Sequence, residues 1–311
     1  MQNPIRYSRR DFLARATVAS SAAALCGCGA FHALGAEAFS PPITIFSKIY
    51  QELKLNFEQA AELTADAGLD GIDCPVRPGG EIDPERAADD MPRYAEALRK
   101  RKTDMLLLTT GILGVSSPHT EEILRTAKKL GIRYYRLGQW FHKAGEPEAK
   151  LVGEIKAQLK DLAALNKEIG VCAMFQNHSP GKIKIAGGDL GELYEIVKDF
   201  DPDQIGVAFD LGHALVVHGN DWLPHFEKLK RHLSVAYVKD AKLGARFVPF
   251  GQGDFSQTDY FTRLKRMGYR APFSVHIEFD WSEKGKNKTR TALLKALKES
   301  AGVLRQWLAK A

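Results

Sequence analysis

Six short stretches gather side chains that can move protons or hold cations and hydroxyls. They are Asp73-Cys74-Pro75-Val76-Arg77, Arg136 with Gln139, Trp140 and His142, Gln176-Asn177-His178-Ser179, Asp210-Leu211-Gly212-His213, Tyr237-Val238-Lys239-Asp240, and His276-Ile277-Glu278-Phe279-Asp280-Trp281. Two carboxylates, Asp210 and Glu278, with histidines or amides beside them, form a donor set for one hard or borderline divalent ion. A buried carboxylate pair lacking a cation is costly or shares a proton. The imidazoles of His178, His213 and His276 suit general acid–base work. Arg77 and Arg136 suit the clamping of a hydroxyl pair or carboxylate, and Trp140 suits stacking on a sugar face.

These stretches share one position in the chain pattern. Short apolar, β-rich runs occur at 43–47, 71–74, 105–109, 134–137, 171–175, 205–209, 235–239 and 273–277, as expected of strands buried on both faces. Helical patterns lie between them, with readable ends. Asn56, Thr120, Asp189 and Asp221 mark starts, Pro84 and Pro147 open two more, and Gly68, Gly131, Gly170 and Gly268 mark stops. A long amphipathic helix covers 288–308. Repeated β-then-α units imply parallel strands with right-handed crossovers. Eight of them predict a closed (β/α)8 TIM barrel in a single domain. No G-x-G-x-x-G follows the first strand, which argues against a dinucleotide fold. The six stretches all fall where strands end, the catalytic side of such a barrel. On a strand, residues two apart share a face, so His276 with Glu278, and Gln176 with His178, point into one mouth.

Plainer readings stand beside these. Asp210 caps a helix and His213 sits in a turn, or Glu278 closes the barrel in a salt bridge with Lys239 or Arg136. Lys239-Asp240 is an internal pair orienting the mouth, the aromatics pack under loops, and Gly251-Gln252-Gly253 makes only a turn.

In this order, Gly71-Ile72-Asp73 with Val76-Arg77-Pro78-Gly79-Gly80, Gln176-Asn177-His178-Ser179, Phe209-Asp210-Leu211-Gly212-His213-Ala214, Val238-Lys239-Asp240, Pro249-Phe250-Gly251-Gln252-Gly253-Asp254 and His276-Ile277-Glu278 resemble the sugar phosphate isomerase/epimerase family, the xylose isomerase-like barrels. The resemblance covers essentially all of 39–311. It implies one divalent ion (Mn, Mg, Co or Zn) held by Glu, Asp, His and Glu of the last four strands. Asp210 and Glu278 match two of these, and His213 matches a histidine that touches substrate. Gln176 stands in place of the first Glu and Tyr237 in place of the His. The expected ligands are therefore Asp210, Glu278, Gln176 and His178, with Arg77, Arg136, Lys239, His276 and Trp140 facing substrate. Glu278, His178 or His213 would move the proton. The implied function is a metal-assisted isomerase, epimerase or lyase on a keto-sugar or inositol-type carbohydrate. The loss of one glutamate tilts it toward a one-base reaction such as β-elimination. The alternative is a non-catalytic periplasmic sugar-binding barrel with a degenerate metal site. An abasic-site nuclease on this barrel needs more His, Asp and Glu than strands two to four offer.

The 311 residues are 44% hydrophobic, enough for one sizeable core. The net charge of +6 includes Arg6, Arg9, Arg10 and Arg15, and no basic stripe marks a nucleic-acid partner. Ser8-Arg9-Arg10-Asp11-Phe12-Leu13 before an Ala-rich stretch reads as a twin-arginine signal over 1–38, with a cleavage site at Ala36-Glu37-Ala38. This predicts a periplasmic or exported protein. Lipid attachment at Cys28 is the second reading and the only route to a membrane partner. Cys74 and Cys172, each in a strand-like run, read as buried thiols more readily than as a disulfide. A homo-oligomer is compatible with the sequence and not specified by it.

Overall fold

The computed structural model describes residues 39–243, 246–283 and 287–311. The twin-arginine segment, its cleavage site, Cys26 and Cys28 lie outside the described residues. Eight parallel strands close into a barrel: β1 (Ile43–Phe46), β2 (Gly71–Val76), β3 (Asp104–Thr110), β4 (Tyr134–Arg136), β5 (Cys172–Gln176), β6 (Ile205–Asp210), β7 (Leu233–Val238) and, after a small antiparallel hairpin of β8 (Ala241–Lys242) and β9 (Arg246–Phe247), β10 (Phe273–Val275). Each barrel strand pairs with its sequence neighbour, and β10 pairs with β1 through Ile43 opposite Phe273. All eight predicted strands are present.

The helices outside are α1 (Phe57–Asp66), α2 (Ala87–Lys100), α3 (Thr120–Leu130), α4 (Glu148–Ile169), α5 (Leu190–Val197), α6 (Leu211–His218), α7 (Trp222–Leu229), α8 (Tyr260–Arg266) and α9 (Arg290–Lys310). The local chemistry explains their ends. Asn56 and Gln59 form a capping box at α1, and the Asp189 and Thr289 side chains cap α5 and α9. Gly131 and Gly170 end α3 and α4 at φ +87° and +80°, the left-handed conformation that glycine adopts without strain. Asp83 caps no helix; its carboxylate accepts from Gly79 N, and Pro84 opens a 3-10 turn ahead of α2.

Two layers of apolar side chains result. The larger fills the space between strands and helices. The smaller joins Leu107, Met174, Ala208, Val235 and Tyr237, with Tyr134 against them. These residues share one parity. Two residues further along the same strands come Thr109, Gln176, Asp210, Lys239 and Arg136. The inward face thus changes from apolar to polar toward the strands' C-terminal ends. Asp73 bridges the change, accepting from Thr109 Oγ1 and Ser274 Oγ at 2.9 Å each and so tying β2, β3 and β10.

Cys74 and Cys172 are free and buried. Burial raises both thiols, Cys172 to about 11, so neither is a ready nucleophile. The Gly251-Gln252-Gly253 segment is a turn, as expected, but it wraps a carboxylate. Asp240 Oδ2 accepts from Gly251 N (2.8 Å) and Gly253 N (3.0 Å), and Oδ1 from Ala241 N (2.9 Å) and Phe255 N (3.3 Å). Lys239 and Asp240 are therefore not a pair: successive residues on the strand face opposite ways, one to the mouth and one to this turn. Asp240→Ala should strand four backbone donors and lower stability by on the order of 3 kcal/mol, read as a lower urea midpoint at unchanged slope.

Candidate active site

The polar ends of the strands surround a cavity of about 690 Å³, lined in part by Phe46, Arg77, Arg136, Gln176, His178, His276 and Glu278. The structure thus brings together six of the residues expected at the site. Asp210, His213 and Lys239 lie buried beneath it.

The centre of this floor is an ammonium. Lys239, 1% exposed, places Nζ 2.8 Å from Glu278 Oε1, 2.9 Å from His213 Nε2 and 3.2 Å from Asp210 Oδ2. Two of its N–H groups donate, to Glu278 and His213, and the charge pairs with Asp210. Asp210 is shared further. Its Oδ1 accepts from His213 N at 3.1 Å, capping α6, and its Oδ2 also accepts from Gln176 Nε2 at 3.0 Å. Both the helix-capping reading of Asp210 and the Lys239–Glu278 salt bridge are therefore present. Gln176 is oriented by Arg136, whose Nη1 donates to Gln176 Oε1 at 2.8 Å.

These bonds set two tautomers. Lys239 donates to His213 Nε2, so the proton sits on Nδ1 and is given to Ser179 Oγ at 2.8 Å. His178 Nδ1 lies 2.8 Å from the Ser179 carbonyl, which only accepts, so its proton is also on Nδ1 and Nε2 keeps a lone pair. The two rings sit 3.9 Å apart. Burial first and the Lys239 charge second hold both imidazoles below their ordinary range, His213 well below it. Burial lowers His276 too, and its Nε2 is buried without a hydrogen-bond partner. Burial alone would raise the Glu278 carboxyl, but His276 and Lys239 together pull it well below the usual carboxylate range. Glu278 is thus a weak base and a firm acceptor, with 37% of its side chain exposed.

Two expectations change, and one residue is added. Trp140 does not face the mouth: its indole N–H donates to Gln158 Oε1 at 2.9 Å and its ring stacks on Phe175. Phe46 does, stacked on His276 at 4.8 Å with the Arg77 guanidinium 5.8 Å from its centroid. Phe46 ends β1, so the strand-end rule applied to the first strand would have found it. Finally, the expected metal set does not fit. Gln176 turns its N–H toward Asp210 and gives its oxygen to Arg136. Tyr237 is buried beside Asp73 with its phenol pushed well above the ordinary range, so it remains protonated. Asp210 and Glu278 already hold Lys239, and among the described residues no three His, Cys, Asp or Glu side chains are grouped to hold an ion.

Residues 61–307 match the family model described as the xylose isomerase-like TIM barrel, and the chain belongs to that family. No curated protein matches it. Among solved structures it is similar to a D-tagatose 3-epimerase-like protein, with 16% identity over 86% of this chain and 97% of that one at TM-score 0.64. It is also similar to the 3-keto-D-glucoside 4-epimerase YcjR of E. coli, with 13% identity over 83% and 99% at TM-score 0.62. A third is the IOLI protein with a bound zinc atom, with 18% identity over 86% and 98% at TM-score 0.65. At these identities the likeness is one of fold.

Gly212 explains how the floor packs. A Cβ there would lie 2.5 Å from Lys239 Cγ and 2.8 Å from the Lys239 carbonyl oxygen, which is backbone and cannot swing away. Gly212→Ala should therefore lower stability by about 1–3 kcal/mol through overpacking, seen as a reduced Tm, and disturb the His213 ring resonances in NMR spectra.

Proposed function

We propose that this chain is an enzyme that binds a keto-sugar, inositol-type or related carbohydrate in the barrel mouth and moves a proton on the carbon beside its carbonyl, as an isomerase, epimerase or lyase. One observation carries the reading: a neutral imidazole, His178, presents an unshared Nε2 in a polar cavity where Arg77, Arg136 and Glu278 converge. Family membership supports the fold on which this rests.

The roles follow from the geometry. His178 is the base, because its proton is committed to Ser179 O at Nδ1 and its lowered pKa keeps it unprotonated near neutrality. Glu278 is too firmly ionised to take that proton efficiently and accepts from a substrate hydroxyl. Arg77 has burial and the nearby Arg136 charge lowering its pKa, and it gains from a negative or partly negative oxygen between the two guanidiniums. They would stabilise the oxyanion that grows as the C–H bond breaks. His213 stays beneath the surface and acts through His178 and Lys239. No step is routed through a metal, since the donors present do not fit one. With His178 as the base and Glu278 too firmly ionised to share the proton, a one-base reaction such as β-elimination is favoured over symmetric epimerisation.

The test is exchange of the carbon-bound proton. The full chain, incubated in D2O with a panel of keto-sugars and keto-inositols, should incorporate deuterium beside the carbonyl, followed by NMR. Saturable sugar binding with neither exchange nor turnover would overturn the proposal in favour of a binding barrel. His178→Ala should reduce kcat by roughly 10²–10⁴-fold, whereas Arg77→Ala should raise KM about tenfold, the loss of one charge-assisted contact. The pH profile has a definite sign. A base works unprotonated, and a lowered pKa keeps it so in weak acid. The kcat/KM should therefore be flat near neutrality and fall only below the ordinary imidazole value of 6.5.

A further inference from the structure

We propose that Lys239 is the resident cation of this barrel mouth, its ammonium taking the place a divalent metal would hold between Asp210 and Glu278. The groups around Nζ come from two places on the mouth: Asp210 and His213 from the β6–α6 junction, and Glu278 from the segment after β10. Asp210 is a buried carboxylate that needs a positive charge beside it. His213 Nε2 presents the lone pair that a metal would use. The lysine supplies one charge, paired with Asp210, and N–H bonds to Glu278 and His213.

The surroundings are built for a side chain here. Gly212 has no Cβ, which lets the Lys239 stem pass α6. The Phe247 ring lies 4.8 Å from Nζ and covers it from the hairpin side, a cation–π contact. One step down β7 on the same face, Tyr237 fills the barrel, its ring 4.5 Å from that of His276. Gln176, at the position of a ligand glutamate, donates to Asp210, a bond that complements a carboxylate and opposes a bound cation. Tyr237 and Gln176 give up metal donors, while Gly212 leaves room for the Lys239 stem.

In this arrangement Lys239 is a positioning residue. It fixes the His213 tautomer by donating to Nε2 and holds Glu278 by a second N–H bond.

Metal uptake tests this, and its readout does not use turnover, so failure of the reaction proposed above and failure of this inference are separable. The full chain is treated with chelator, dialysed against Co²⁺ or Mn²⁺ and analysed for bound metal. Wild type should retain no stoichiometric ion, and Glu278→Gln should not change the result. One ion per chain that Glu278→Gln releases would overturn the proposal. Lys239→Ala frees Asp210, Glu278 and His213, and should bind Co²⁺ at least about tenfold more tightly than wild type, with a visible cobalt absorption band. A folded Lys239→Ala chain that binds no better than wild type also overturns it. If that variant does not fold, the comparison of wild type with Glu278→Gln still decides.

Discussion

A lysine ammonium removed from water must find hydrogen-bond acceptors and a negative charge to face. Lys239 meets both needs with Asp210, Glu278 and His213, and much of the mouth follows. Asp210 is held so that its other oxygen caps α6, which orients that helix on β6. His213 is held as one tautomer, which sets Ser179, whose carbonyl sets the tautomer of His178. Glu278 is drawn in from a segment past the end of β10. Deleting the charge would leave Asp210 buried and uncompensated, with its cap and its amide partner all that remained to stabilise it.

The barrel was legible because it is written in short-range patterns. Apolar runs of strand length, glycine stops such as Gly131 and Gly170, and caps such as Asn56 and Asp189 report local backbone chemistry that tertiary packing leaves intact. The list of strand ends carrying polar residues was legible for the same reason. Helix α6 was not. Its residues Leu211–Ala214 are all buried, so no polar stripe marks a helical period, and Asp210 reads equally as a strand end or a cap. The β8–β9 hairpin is only two residues to a strand and gives no periodic signal.

The site was half legible, and the half that failed is instructive. Parity and strand ends placed Arg77, Arg136, Gln176, His178, His276 and Glu278 around one cavity. They cannot say what a long flexible side chain does at its tip. Lys239 was expected to face substrate; here two carboxylates and an imidazole, from positions 26 to 39 residues away in the chain, fold it back. Trp140 failed similarly: its indole N–H needed a partner, and Gln158 on α4 supplied one away from the mouth. The departures at Gln176 and Tyr237 were visible in the sequence as missing ligands. Only the three-dimensional arrangement places the Lys239 ammonium against Asp210 and Glu278.

Gly212 and Lys239 also bear on how such a mouth changes by substitution. With lysine in place, glycine at 212 is required, since any Cβ meets the lysine stem and backbone. With lysine gone, Asp210 and Glu278 confront each other across a vacated space. A chain passing between a lysine-filled and an ion-filled mouth therefore crosses a ridge of instability unless the ion enters as the lysine leaves. Glycine at 212 is needed on either side of that ridge, because a Cβ there would meet the backbone carbonyl at 239 whatever side chain stands there.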